Sequence, residues 1–420
     1  MIDPWLRGPT YMDQSWAAWV YPAGVESLLP VQHILFTHFH PDHFHPESFP
    51  LLNKDADVLV PETAGSYLRD KARKEGFAKA REIHVGRPER LNELEVHALR
   101  VHDHWEFLDE TAYVIVENDT AVLFLADLWY IPRALLARWA DNRRFAFASL
   151  PWGGSIENLL ILPEGYELDS LAEYYRYGMD KNTLARRNAV MEHGDFAALA
   201  SEVNADAMIP GSFGFGMIAP DEEFVKPAPI NHWLDQDAFI ATLPDRRIKS
   251  KLHSMYPGYC YDTESGVMRR EGTTKPNHRV TPEMRARSQA RRDTSIRLDT
   301  EHACKYFLGK IDSALARQRG ASLFYQDRMC HVLSGERQFE IHIVNDARQM
   351  FLFEQKRDRF TLRAIDRPTG IREIIYMPPS VFSSMVEDWG PKWTDANFSG
   401  LVKVSASGWA PYNYLPIFFG

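Results

Sequence analysis

Cysteine is scarce in this chain: Cys260, Cys304 and Cys330 are the only three among 420 residues. An odd number of widely spaced cysteines argues against a disulfide framework and fits a reducing compartment. No two form a Cys-x-x-Cys pair, so they point to neither a zinc ribbon nor an iron–sulfur cluster. Long apolar runs are also missing, and none approaches the roughly 20 residues of a membrane-spanning helix. Met1-Ile2-Asp3-Pro4-Trp5 has neither the basic nor the apolar stretch of a secretion signal. Nor is there an excess of positive charge; a net charge of -9 counts against nucleic acid as the main partner. These absences lead to the expectation of a cytoplasmic protein that meets neither membrane nor nucleic acid.

What remains is ordinary globular material. A hydrophobic fraction of 45% and a charged fraction of 25% supply real cores, and the length suits two domains of roughly 150 residues or more. From the start to about residue 240, short apolar runs alternate with helical stretches, as in an α/β domain. Residues 33–37, 56–60, 112–116, 121–125 and 206–210 read as strands, and 196–203 as a helix. Pro61 marks a strand end because it cannot donate to a ladder, and Asn118-Asp119 is a hairpin turn.

Residues 241–300 form an arginine-rich connecting segment, including Arg279, Arg285, Arg287, Arg291 and Arg292. It reads either as a solvated connecting helix or as a basic strip that meets an anionic substrate or the other domain. Residues 301–420 read as an α+β domain. Its expected elements are a helix over 301–318, strands at 338–343, 349–353 and 359–364, a short helix near 381–386 and a strand at 401–404.

The most informative segment is Thr37-His38-Phe39-His40-Pro41-Asp42-His43, directly after an apolar strand. Alternate residues of extended chain point the same way, so His38, His40 and Asp42 converge on one side. His43 can join them where the chain turns away. Imidazole with a nearby carboxylate suits zinc, iron and similar borderline cations.

This His-x-His-x-Asp-His string resembles the signature of the metallo-β-lactamase superfamily. The resemblance implies an αββα sandwich over residues 1–240. It also implies a third histidine, His104 or its alternate His102, and a bridging aspartate, Asp127. Metal 1 would then take His38, His40 and His104, and metal 2 would take Asp42 and His43, with Asp127 between them. The superfamily closes its ligand set with a histidine in a Pro-x-His context, whereas Ser212 stands at that place here. His193 and His45 are the substitutes in view.

Ile2-Asp3-Pro4-Trp5-Leu6-Arg7-Gly8-Pro9, Ser149-Leu150-Pro151-Trp152-Gly153-Gly154 and Pro210-Gly211-Ser212-Phe213 look like segments of the CMP-N-acetylneuraminate hydroxylase family, and diiron hydroxylases are similar. These relatives imply an iron-dependent monooxygenase of a small organic substrate. The paired Cys-x-His ligands of a Rieske cluster are not present, so electrons would come from an external electron-transfer protein.

Three functions follow as expectations. The first is that hydroxylase, with one or two metal ions, iron before zinc or manganese. The second is a zinc- or manganese-dependent hydrolase of an ester, lactone, amide or phosphodiester, in which Asp42 or Asp127 holds or deprotonates a bound water. The third is a binding protein whose metal is structural. Trp129, Tyr130, Trp152, Tyr174, Tyr175 and Tyr177 are candidate pocket residues, and residues 155–185 a candidate lid. The C-terminal pattern weakly resembles sterol-carrier-protein-like modules; a packing or homo-oligomer interface is the plainer reading.

Overall fold

The computed structural model describes residues 1–17, 29–62, 66–100, 110–128, 145–151, 160–162, 191–203, 205–211, 215–218, 226–227, 236–243, 248–270, 279–292, 298–318, 335–344, 348–387, 396 and 399–405. Its helices of at least seven residues are α1 Tyr67–Lys74, α2 Met191–Glu202, α3 Gln236–Thr242, α4 Pro282–Arg291, α5 Thr300–Gln318 and α6 Pro379–Glu387. None of the described helices is long and apolar enough to cross a membrane.

The first half stacks four layers. A parallel three-stranded sheet runs His33–Leu35, Asp57–Pro61, Ala80–Ile83. A seven-stranded sheet runs Lys251–Leu252, Ala205–Gly211, Phe145–Pro151, Thr120–Phe124, Thr111–Glu117, Leu94–Arg100, Glu89–Leu91. The period of two in each strand sets the layering. Ile34, Val58 and Val60 face α1, where they pack with Leu68, Ala72 and Phe77. The intervening Leu35 and Leu59 turn inward to meet Val96, Ala98 and Tyr113 of the larger sheet. That sheet's outer face, with Val114, Leu123, Ala148 and Met208, is covered by Phe196 and Leu199 of α2 and Phe239 of α3. Helix, sheet, sheet, helix is the metallo-β-lactamase sandwich. The expected strands and the helix near residue 200 lie within a few residues of their places; Pro61 ends its strand, and Asn118 takes the turn with φ 53°.

The second half forms a six-stranded sheet ordered Leu160–Leu162, Lys403–Ser405, Ile374–Met377, Glu336–Ile343, Met350–Lys356, Arg359–Ile365. Phe307 and Ile311 of α5, with Val381, Phe382 and Met385 of α6, pack on its apolar face. One strand departs from the expected division. Leu160–Leu162, inside the supposed lid, pairs in parallel with Lys403–Ser405. The chain of the first region thus contributes an edge strand to the 301–420 sheet; the rest of residues 155–185 lies outside the described residues.

The arginine-rich segment resolves into specific contacts. Pro282 at the first turn and the Thr281 Oγ1 that accepts from Met284 N start α4. Met284 packs against Trp16 and Ile218. Arg287 donates to Asp13 Oδ1 at 2.6 Å and pairs with the Glu47 carboxylate, while Arg291 Nε donates to Asp13 Oδ2 at 2.8 Å. It is a connecting helix whose arginines meet the N-terminal region.

Candidate metal centre

Strand His33–Leu35 delivers the chain into Thr37-His38-Phe39-His40, and a turn with His43 N and Phe44 N both donating to His40 O swings His43 back. Phe36 and Phe44 pack 4.7 Å apart, and Phe49 packs 4.7 Å from Phe44, pinning both ends of the loop into the α1 core. Asp127 follows strand Thr120–Phe124, where Leu128 N donates to Leu125 O and Ala126 sits at φ 49°. A non-glycine residue in that left-handed region is strained, a feature that gathers at functional sites.

Five sequence-predicted residues come together. His38, His40, Glu110 and Asp127 offer ligand atoms all within 4.8 Å of one another, and so do Asp42, His43 and Asp127. Asp127 is common to both groups. Its Oδ2 lies 3.7 Å from His38 Nε2 and 3.2 Å from His43 Nε2. His38 Nε2 and His40 Nδ1 approach to 2.7 Å. His102, His104 and Ser212 lie outside the described residues, as do the six aromatic pocket candidates; nothing of the His193 side chain is described. His45 is no substitute ligand: its Nδ1 meets Ser48 Oγ and its Nε2 meets Pro9 O, each at 2.9 Å.

Glu110 was not among the residues read from the sequence. It precedes strand Thr111–Glu117, and Thr111 N donates to Thr37 O at 3.2 Å, which seats it beside His38. The available signal was an acidic residue at the mouth of a strand that neighbours Asp127's strand.

Asp3 was quoted only as part of a motif, yet it orders the loop. Its Oδ1 accepts from Thr37 N at 2.8 Å, and its Oδ2 accepts from Thr37 Oγ1 at 2.6 Å and from His43 Nδ1 at 2.8 Å. Thr37 spends its single hydroxyl proton on Asp3, so it accepts from His38 Nδ1, 2.9 Å away. Both His38 and His43 thereby carry a proton on Nδ1, which leaves Nε2 as the nitrogen each ring offers a cation at the centre.

The electrostatics test whether this set suits a cation. Burial, then the neighbouring His43 and His40, push His38 well below the ordinary imidazole value. Burial also takes His40 down to about 3. Burial raises Asp42 to about 6 with help from Asp127, against the opposing His43 and the Tyr11 hydrogen bond. His43 goes the other way: burial opposes its charge, but Asp127, Asp42 and Asp3 outweigh it and hold the ring well above its usual value. Three carboxylates packed among buried imidazoles call for positive charge, and without a metal a proton on His43 supplies it. The donor set fits one or two divalent ions.

Residues 1–209 match the family model described as Beta-lactamase superfamily domain. No curated protein matches the chain significantly. Among solved structures, CmlA, a diiron β-hydroxylase from Streptomyces venezuelae, is similar at 20% identity and TM-score 0.29, over 43% of this chain and 35% of that one. An isothiocyanate hydrolase from Delia radicum gut bacteria is similar at 14% identity and TM-score 0.39, over 65% and 92%. A possible metal-dependent hydrolase from Veillonella parvula is similar at 15% and 0.39, over 64% and 91%. The chain spans less than half the length of the hydroxylase it matches.

Proposed function

We propose that the protein is an iron-dependent hydroxylase of a small organic substrate, built on a dinuclear centre held by His38, His40, Glu110, Asp127, Asp42 and His43. One observation carries this reading: Glu110 joins His38 and His40. Among the described residues this group is two imidazoles and two carboxylates, a mixed nitrogen and oxygen set of the kind non-haem iron uses to handle oxygen, whereas sulfur-rich sets favour zinc. The resemblance of the Asp-Pro-Trp and Pro-Gly-Ser-Phe segments to iron-dependent hydroxylases supports the same reading.

When bound, the metal pair supplies the redox chemistry that activates O2. The chain supplies the rest. Asp3 and Thr37 hold His38 and His43 in the tautomers that leave Nε2 bare. The buried rings of Phe36, Phe39 and Phe44 back the loop and exclude water from that side. Asp127 sits between the two donor groups and ties their spacing. Hydroxylation of a C–H bond by O2 takes two electrons and two protons, and the second oxygen leaves as water. The three cysteines offer no pair spaced for a cluster, so a separate electron-transfer protein belongs to the proposal.

The two donor groups sharing one carboxylate also suit a two-metal hydrolase, in which a bound water attacks an ester or phosphodiester and Asp42 or Asp127 handles its proton. Oxygen uptake coupled to a chemical reductant, measured on iron-loaded protein, separates the two. Uptake supports the hydroxylase. Turnover of an ester and phosphodiester panel under nitrogen, with no uptake in air, refutes it.

A further inference from the structure

Tyr11 to Gln14 form a turn in which Tyr11, Met12 and Asp13 have φ of 48°, 55° and 61°, three non-glycine residues in succession in the left-handed region. Such a run persists only where its side chains are fixed by their surroundings. Here each side chain goes to a different place. The buried Tyr11 hydroxyl donates to Asp42 Oδ1 at 2.6 Å. Met12 enters the apolar core of the C-terminal sheet. Asp13 receives Arg287 and Arg291 of α4. Gln14 Oε1 accepts from Ser288 Oγ and from Arg292 Nε, both at 2.9 Å.

A continuous path results. Ser380 of α6 donates to the Arg291 carbonyl, Arg291 holds Asp13, and the strained turn sets the phenol that touches Asp42. Arg287 braces the path by pairing with Asp13 and with Glu47 at once. With Oδ1 of Asp42 engaged by Tyr11, Oδ2 is the oxygen facing His43 Nε2, 3.5 Å away.

We infer that Tyr11 is a positioning residue of the metal centre, fixing Asp42 as a single-oxygen ligand, and that the C-terminal domain sets the centre through the Arg287/Arg291–Asp13–Tyr11 path. The inference rests on the reading of this cluster as a metal centre. It gives the C-terminal domain a task in the chemistry that does not require it to touch substrate.

The test uses the full chain loaded anaerobically with Co(II), following each ion's release to a chelator and the visible spectrum of the bound cobalt. Tyr11→Phe keeps the ring and removes only the hydroxyl. Loss of a partner one step outside the ligands weakens metal binding 10–100-fold as an order of magnitude, so one of the two ions should leave about that much faster. The other should leave at the wild-type rate, and the cobalt spectrum should change. Asp13→Asn and Arg287→Gln, remote from every ligand, should speed the same ion in the same direction to a smaller extent. Wild-type rates and spectrum in Tyr11→Phe would overturn the inference. If Tyr11→Phe does not fold, unchanged release in both remote variants overturns it equally. A wild-type chain that takes up no Co(II) instead defeats the metal reading itself, a different result from a wild type that binds while the variants match it.

Discussion

Replacing Asp3 by asparagine perturbs the centre while leaving every proposed ligand in place. The position tolerates the change sterically, because Asp3 sits at φ 43° and asparagine is among the residues that accept the left-handed region. The chemistry does not tolerate it. Asp3 accepts three hydrogen bonds, from Thr37 N, Thr37 Oγ1 and His43 Nδ1. Asparagine keeps one acceptor oxygen and places an NH2 where a second stood. If that NH2 faces His43, the ring must turn its tautomer over and offer the centre an Nε2–H that cannot bind a cation. If it faces Thr37 N instead, two donors collide and the loop shifts. Either way, metal affinity should fall by 10–100-fold, equivalent to about 1.4–2.7 kcal/mol. Competition titration with a chelator of known affinity measures this directly, with far-ultraviolet circular dichroism as the control for folding. A folded Asp3→Asn protein with wild-type affinity would refute the argument that Asp3 fixes the ligand tautomers.

Other residues give further tests. Glu110→His converts the first donor group to three imidazoles and an aspartate, so the zinc-to-iron ratio after growth in mixed metals should rise, as elemental analysis would register. In the C-terminal sheet, the fully buried Glu340 accepts from Thr369 N, Thr369 Oγ1 and His342 Nε2 at 2.6–2.7 Å. Glu340→Ala should therefore cost about 3 kcal/mol in urea unfolding. Burial pushes the Glu340 carboxyl up, but these hydrogen bonds outweigh it and hold it below the usual range. Its stabilisation is therefore complete above about pH 4.3 and lost as pH falls through the lower folded value, a dependence Glu340→Gln should flatten. Gly8 adopts φ 78° and lies against the Glu47 carboxylate, so Gly8→Ala should lower stability by about 1–2 kcal/mol from backbone strain alone and disturb the Glu47–Arg287 pair. A melting temperature equal to that of wild type would count against that assignment.

The layers were legible because periodicity survives in single strands, with Ile34 and Leu35 facing opposite cores. The alternation expected to carry on to Asp42 stops short, since Asp42 lies in the turn after His40 and groups with His43, while His38 and His40 share the other group. Five of the clustered donors could be named because they lie in a contiguous string or at a strand end. Glu110 could not, since its place beside His38 depends on how Thr111 pairs with Thr37 across two sheets. Asp3 and Tyr11 were hidden for the same reason; their partners lie about 30 to 40 residues away. The arginine cluster showed its charge but not its target, because Asp13 and Arg287 are 274 positions apart. The crossing of Leu160–Leu162 into the second sheet left no local mark at all.

The central claim is that a carboxylate-rich, dinuclear iron centre forms where the two donor groups meet at Asp127. Anomalous scattering from crystals of iron-loaded protein, collected on both sides of the iron and zinc edges, tests it most directly. The account predicts two iron peaks, one within bonding distance of His38, His40 and Glu110 and the other of Asp42 and His43, with Asp127 touching both. A lone zinc peak, or a metal that Glu110 does not reach, would contradict it.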